Sequence, residues 1–224
     1  MIHPQKPLEA RISQQDAADL YDRLASFYDI WGRLTESKAQ ARCLELAKII
    51  PGESVLDVAV GTGLVFERVV RRNPGGLNLG IDISRGMLAK AERRLQKAGL
   101  SSYRLSNASA TEIPEPDSSI DLLLNNYMFD LLDEKLWPAV IREFRRVLKP
   151  GGRLVLANMT VSENWGSGIY QRLYTLSPKL MGGCRSVQMS GPLEQNGFTV
   201  HLREYRQQLF FPSEIILAYR SGTQ

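Results

Sequence analysis

Short runs rich in β-branched residues alternate with helical patterns between residues 53 and 158. We predict strands at Ser54–Val58, Leu77–Ile81, Tyr103–Ser106, Ile120–Leu124 and Arg153–Asn158. The helices between them are predicted at Leu64–Arg72, Arg85–Ala98 and Glu134–Leu148. Such an alternation is typical of a parallel sheet covered by helices on both sides. The sequence therefore predicts an α/β fold of the doubly wound type.

The flanking segments are predicted to complete one domain of residues 1–224, because no Pro/Gly/Ser-rich linker divides the apolar segments. Its predicted parts are an N-terminal helical lid (15–49), a core (50–158), an irregular substrate-side insert (159–197) and terminal strands (198–224). The last two strands are expected at Phe198–Tyr205 and Ser213–Tyr219. Pro150-Gly151-Gly152 is expected to end the preceding helix, with glycine in a left-handed C-cap.

Composition excludes several classes of protein. The net charge is +4, but the arginine groups 68, 71, 72 and 142, 145, 146 lie in amphipathic helical patterns, so we expect no nucleic-acid partner. No apolar run reaches the ~20 residues of a membrane span, although a transient contact with a membrane surface stays open. The N-terminus lacks a secretory signal, which favours the cytoplasm. Cys43 and Cys184 are expected to be buried thiols, with neither metal nor disulfide.

The first predicted strand runs directly into Gly61-Thr62-Gly63 and then into a helix. Glycines at such a turn let backbone N–H groups approach a ligand, which many nucleotides exploit. Asp57 is more informative, because a carboxylate at this strand end would repel a pyrophosphate but suits the ammonium and sulfonium charges of S-adenosylmethionine. No Gly-Lys-Ser/Thr follows to hold a triphosphate. The loop therefore favours S-adenosylmethionine over NAD, ATP and GTP.

Asp82 ends the second predicted strand, about 20 residues beyond the glycine loop, as a ribose-binding acid does in dinucleotide folds. Ile83 and Met87 follow and could hold the adenine ring between them. The alternative for Asp82 is an N-cap of the helix that begins near Arg85, a function that Ser84 could also serve.

At these residues the chain resembles the ubiquinone/menaquinone C-methyltransferase group of the class I S-adenosylmethionine-dependent methyltransferases. The loop 57–63, Asp-Val-Ala-Val-Gly-Thr-Gly, is similar to that group's Asp-Leu-Ala-Gly-Gly-Thr-Gly, which also has Ala where Gly is usual. The resemblance covers roughly residues 20 to 160 and continues through Asp82-Ile83-Ser84, Met87-Leu88, Ser109-Ala110-Thr111-Glu112-Ile113-Pro114, Ser119-Ile120-Asp121 and Arg146-Val147-Leu148-Lys149-Pro150-Gly151-Gly152.

This resemblance implies a Rossmann-like, seven-stranded, mostly parallel sheet with an antiparallel last strand. It also implies that Ala59, Gly61, Thr62 and Gly63 border the cofactor, with Thr62 at its methionine part and Asp82 at its ribose. The positions that read the adenine fall on Ser109 and Ala110, where serine replaces the family's Asp or Asn. The polar residue that ends the fourth strand falls on Asn126.

Methyl transfer from a sulfonium gains much of its rate from alignment, and a base is needed only where the acceptor must lose a proton. Tyr127 and Asp130 follow the fourth strand and are the candidate catalytic residues. The alternative is a simple turn, with Asp130 or Asp133 capping the next helix. Asn125-Asn126-Tyr127-Met128 also faintly resembles the Asn-Pro-Pro-Tyr of amino-group methyltransferases, although both prolines are missing.

Aromatic residues outside the predicted sheet could form an apolar lid over a lipophilic acceptor, or could simply anchor their helices. They are Tyr21, Phe27, Tyr28, Trp31, Trp165, Tyr170 and Tyr174, accompanied by Leu180 and Met181. The leading hypothesis is methyl transfer to a small, quinone-like or lipid-like molecule. An RNA or protein acceptor, or a non-catalytic binding module with the same fold, are the alternatives. The oligomeric state is left open.

Overall fold

A computed structural model describes residues 34–160, 185–209 and 211–222. The strands are β1 (Ser54–Val58), β2 (Leu77–Asp82), β3 (Arg104–Asn107), β4 (Ile120–Asn126), β5 (Leu148–Met159), β6 (Phe198–Gln208) and β7 (Phe211–Arg220). The helices are α1 (Ser37–Ala47), α2 (Leu64–Arg72), α3 (Arg85–Lys97), α4 (Trp137–Val147) and α5 (Ser190–Gln195), with a 3-10 turn at Glu134–Leu136 before α4.

The seven strands form one sheet in the order β3-β2-β1-β4-β5-β7-β6. Strands β1 to β5 are parallel, and β7 runs antiparallel to both of its neighbours, β5 and β6. The predicted fold class is thus confirmed, including the antiparallel last strand. The strand order reverses between β1 and β4, and in open α/β sheets ligands bind outside the carboxyl ends of the strands at such a point.

Helices cover both faces of the sheet because successive strand residues point to opposite sides. Val55 belongs to a buried cluster that α1, α2 and α3 complete. Its neighbour Leu56 belongs to a second cluster, completed by α4 and α5 on the other face. The apolar side of each of these helices therefore packs on one face of the sheet. The result is one sheet between two layers of helices.

Two boundary predictions around the fourth helix are wrong. Helix α4 ends at Val147, and Leu148 is already extended (φ −66°, ψ 139°), so no glycine forms its C-cap. Gly151 does adopt a left-handed φ of 72°, but within β5. The reason is an irregularity of strand pairing: Ile120 pairs with Leu148, while Leu122 pairs with Arg153. The Pro-Gly-Gly segment thus forms part of a bulged strand rather than a helix end.

The described part of the substrate-side insert, from residue 185 onward, differs from the prediction. Residues 190–195 form helix α5, with Leu193 buried, in a segment predicted to be irregular. The proposed lid residues at 21–31 and 165–181, as well as Cys184, lie outside the described residues. Cys43 is fully buried in α1, as predicted. None of the described helices is long and apolar enough to cross a membrane.

Candidate active site

Asp57 lies near the carboxyl end of β1 and is only 2% exposed. Among the described residues, none donates a hydrogen bond to its carboxylate. Burial, reinforced by the nearby Asp82 carboxylate, raises the pKa of Asp57 to about 8. An isolated buried carboxyl group is costly to ionise, and a cation beside it would remove that cost. The site is therefore suited to a positively charged ligand group.

Asp82 connects β2 to the glycine loop. Its Oδ2 accepts a hydrogen bond from the Gly61 N–H at 2.8 Å, and its Oδ1 accepts one from the Ser84 N–H at 2.9 Å. The cap of α3 is supplied by Ser84, whose Oγ accepts from the Met87 N–H at 3.0 Å. Capping of α3 therefore does not explain the acid at position 82. The Asp82 carboxylate lies at the edge of the glycine loop, near the carboxylate of Asp57.

The glycine loop contains three residues in the left-handed region: Ala59 (φ 60°), Gly61 (φ 56°) and Gly63 (φ 80°). A Cβ on Gly63 would lie 3.1 Å from both Cα and Cβ of Ala91, so this glycine allows α2 and α3 to approach closely. A Cβ on Gly61 would meet no atom within 4 Å. Gly61 thus borders open space in front of the loop, where a ligand could contact the backbone. Thr62, between them, is 3% exposed.

The two residues predicted to hold the adenine differ in exposure. Ile83 is 43% exposed, whereas Met87 is 3% exposed and packs inside. A flat apolar ring would therefore find Ile83 accessible at the end of β2. On the adjoining loop, the Ser109 hydroxyl shares a 2.8 Å hydrogen bond with Thr111 Oγ1. Ala110 is half-buried against the core beneath it.

Two asparagines end β4 and point to opposite faces of the sheet. Asn125 donates from Nδ2 to the Val58 carbonyl at 2.9 Å, which ties β4 to the end of β1. Asn126 lies on the same face as Asp57, because Asp57 pairs with Leu124, two residues away. The Nδ2 and Oδ1 of Asn126 are both buried, with no hydrogen-bond partner among the described residues. A buried amide without partners fits a polar ligand group.

The candidate catalytic residues Tyr127 and Asp130 are both buried. Tyr127 has a left-handed φ of 54°, and its hydroxyl shares a 2.8 Å hydrogen bond with Ser213 Oγ on β7. Burial raises the pKa of Tyr127 well above 10. Asp130 Oδ2 accepts from the Met159 N–H at 3.4 Å. Asp133 caps the following 3-10 turn, accepting from the Lys135 N–H at 3.0 Å.

Glu36 is a candidate that the sequence analysis missed. It stands at the start of α1, is 2% exposed, and accepts a hydrogen bond from Gln40 Nε2 at 3.1 Å. Burial, followed by the charge of Asp130, raises the pKa of Glu36 to about 8. The sequence does contain a signal: Glu36 precedes the buried Ala39 and Cys43 by three and seven residues, which places an acid on the inward face of the helix.

Comparison with known proteins agrees with this arrangement. A family model described as "Methyltransferase domain" matches residues 55–152. The ubiquinone/menaquinone biosynthesis C-methyltransferase of Xanthomonas axonopodis pv. citri is 33% identical over 186 residues, which cover 78% of this chain and 72% of the relative. The demethylmenaquinone methyltransferase of Thermus thermophilus is 30% identical over 159 residues, covering 69% of this chain and 71% of the relative.

Solved structures share the fold. The [4+2]-cyclase SpnF superposes with a TM-score of 0.77 at 18% identity, covering 98% of this chain and all of that one. The geranyl diphosphate C-methyltransferase of Streptomyces coelicolor A3(2) superposes with a TM-score of 0.67 at 16% identity, covering 83% of this chain and 79% of that one. The relatives that are 33% and 30% identical over more than two thirds of their own length show that the chain belongs to the class I S-adenosylmethionine-dependent methyltransferases and is an enzyme of that family.

Proposed function

We propose that this enzyme methylates a small lipophilic or aromatic acceptor of quinol type. The observation that carries the proposal is its likeness to relatives named for methylation in quinone biosynthesis, at 30% to 33% identity over more than two thirds of their length. Relatives at this degree of identity support the class of acceptor.

The residues at the carboxyl edge fit S-adenosylmethionine. We assign Asp57 to its cationic methionine part, Asp82 to the ribose and Ile83 to the adenine ring, with Gly61 and Thr62 along the loop between them. Asn126 would meet a polar group between cofactor and acceptor. Ala59, Gly63, Met87, Ser109 and Ala110 would then shape the walls of the site. The cofactor supplies an electrophilic methyl group whose departure from the sulfonium leaves a neutral thioether, so the protein mainly has to align and desolvate the reactants.

A quinol acceptor must lose a proton when it is methylated, and the buried acids are better placed to take it than Tyr127. The Tyr127 hydroxyl bonds to Ser213, and a phenol with a strongly raised pKa stays protonated at neutral pH. Glu36 and Asp130 lie close enough for the charge of one to raise the pKa of the other. We therefore propose that Glu36 accepts the proton and that Asp130, with Tyr127, positions the segment after β4.

Substitution of Glu36 by Gln tests this assignment. We expect kcat of the wild type to rise with pH through about pH 8 and to level off about one pH unit higher, because only the ionised carboxylate accepts a proton. Glu36→Gln should lose about 100-fold in kcat, and its rate should no longer rise through pH 8. Glu45→Gln, an exposed position on the same helix, is the control. An unchanged pH profile in Glu36→Gln would contradict the assignment.

The proposed acceptor class is tested directly by methyl transfer from labelled S-adenosylmethionine. We expect transfer to short-chain demethylated quinols and none to RNA or to a protein extract, with Asp82→Ala as the inactive control. Two members of the arginine groups support this choice over RNA, because each pairs with an acid of its own helix, Arg71 with Glu67 at 3.0 Å and Arg146 with Glu143 at 2.7 Å. Label in RNA or protein, with none in quinol, would refute the proposed acceptor.

A further inference from the structure

Two exposed leucines are linked through one glutamine at one corner of the sheet. Leu34 is 55% exposed just before α1, and Leu209 is 63% exposed in the connection between β6 and β7. Gln208 joins them: its Nε2 donates to the Leu34 carbonyl at 2.7 Å, and its Oε1 accepts from the Lys38 N–H at 2.8 Å. The segment that leads into α1 and the tip of the β6–β7 hairpin thus form one outer surface, made of Leu34, Lys38 and Leu209.

This outer surface lies at the same edge of the sheet as the active site. Strand β7 runs antiparallel to β5 and to β6, so β6 points in the same direction as β1 to β5. The hairpin tip therefore extends beyond the carboxyl ends of the strands, as Asp57 and Asp82 do. Glu36, directly before α1, is buried, and the charge of Asp130 helps to raise its pKa. The short segment from Leu34 to Lys38 thus has its leucine and lysine exposed and the candidate base buried.

The charges around the two leucines favour an anionic partner. Lys38 is exposed and has no ion pair among the described residues. Arg42 and Arg206 share a single carboxylate, with N–O distances to Glu204 of 2.6 Å and 3.3 Å. Even with Glu45, which also pairs with Arg42, three cations face two acids. Apolar side chains beside this surplus positive charge match the boundary between acyl chains and anionic headgroups.

We propose that the Leu34–Lys38–Leu209 surface docks this enzyme on anionic lipid bilayers, with the acceptor end of the active site facing the membrane. Its role in catalysis rests on the proposed lipophilic acceptor, whereas the docking itself does not. Two leucines and a few cations give weak, reversible attachment, which suits an enzyme that collects its acceptor from a bilayer.

Sedimentation with sucrose-loaded vesicles tests the docking without cofactor or acceptor. We expect the wild-type chain to bind vesicles of phosphatidylcholine and phosphatidylglycerol (about 7:3) at least about tenfold more strongly than pure phosphatidylcholine, with binding that weakens as salt is added. Leu209→Asp should reduce binding to the mixed vesicles about tenfold, because a charge replaces apolar surface at the contact. Leu209 has a left-handed φ of 54°, a conformation that aspartate tolerates better than leucine, so this change should leave the fold intact.

Leu77→Asp is the matched control. Leu77 is 48% exposed at the start of β2, at the opposite edge of the sheet, and its replacement should leave vesicle binding unchanged. The proposal is overturned if the wild type does not sediment with anionic vesicles, if Leu77→Asp loses as much binding as Leu209→Asp, or if the leucines instead mediate a dimer that dissociates in Leu209→Asp during gel filtration. Vesicle binding without quinol methylation would support the docking and would refute only the proposed class of acceptor.

Discussion

The Asp57→Asn variant should bind S-adenosylmethionine about 100-fold more weakly than the wild-type chain at pH 8. The carboxylate is buried and finds no donor among the described residues, so a cationic ligand would be its main partner. Loss of a charge-assisted contact in such a site costs about 1.5 to 3 kcal/mol, and each 1.4 kcal/mol is a factor of ten in affinity. Asparagine keeps the shape of the side chain and removes its charge, which isolates the electrostatic part.

The same variant should also lose the pH dependence of binding. In the free wild type Asp57 holds its proton up to about pH 8, and it must release this proton when a cation binds. Wild-type affinity should therefore rise by up to tenfold per pH unit from pH 6 towards pH 8, while Asp57→Asn stays flat. The ligand's own α-amino group, with an ordinary pKa of about 8, is about half neutral at pH 8, so the rise in affinity should flatten as pH 8 is approached.

Calorimetric titration at pH 6, 7 and 8, in two buffers with different ionisation enthalpies, measures both the affinity and the released proton. Asp117→Asn is the control, because Asp117 is an acid whose side chain is 78% exposed on the loop before β4. Thermal unfolding should show that Asp57→Asn is at least as stable as the wild type at pH 8, since it no longer buries a carboxylate. Equal affinities of variant and wild type at pH 8 would refute the role of Asp57.

Alanine substitutions of the two loop glycines should rank differently in their effects on stability and on cofactor affinity. Gly63→Ala combines a left-handed φ of 80° with contacts of 3.1 Å to the backbone and side chain of Ala91 on α3. We expect a loss of about 2 to 4 kcal/mol of stability, or about 5 to 10 °C in Tm for a chain of this length. Gly61→Ala carries only the conformational strain, about 1 to 2 kcal/mol, because its Cβ would meet no atom within 4 Å.

For cofactor affinity we expect the reverse order, with the larger loss in Gly61→Ala. The Cβ of Gly61→Ala would project into the space where the ligand approaches the loop, so we expect at least about a tenfold loss of affinity in a chain that remains folded. Gly99→Ala controls for strain, because Gly99 has a φ of 68° and open space but follows α3, away from the loop. Tm and the dissociation constant of S-adenosylhomocysteine are the two measurements. Normal binding by Gly61→Ala would show that the cofactor does not approach this part of the loop.

The sequence was sufficient where residues close together in the chain determine the structure. Strand β1, the glycine loop and α2 follow one another directly, so spacing alone related Asp57 to Gly61 and predicted the bounds of β1 and α2 correctly. The spacing to Asp82 likewise placed a second acid at the end of β2. The family resemblance rests on these same segments, which explains why it identified the methyl donor more readily than the acceptor.

Tertiary structure decided what depends on residues far apart in the chain. From the sequence, Tyr127 is recognisable only as a residue that follows a strand. In the fold its hydroxyl shares a hydrogen bond with Ser213, 86 positions later. Glu36 lies at the start of a helix and becomes a buried acid because α1 packs across the sheet towards Asp130. Leu34 and Leu209 are brought to one surface by Gln208, which precedes Leu209 in the chain and donates a hydrogen bond to the Leu34 carbonyl. Helical and strand periodicity specify which face of an element is buried, whereas the pairing of β5, β7 and β6 determines which distant side chains share that face.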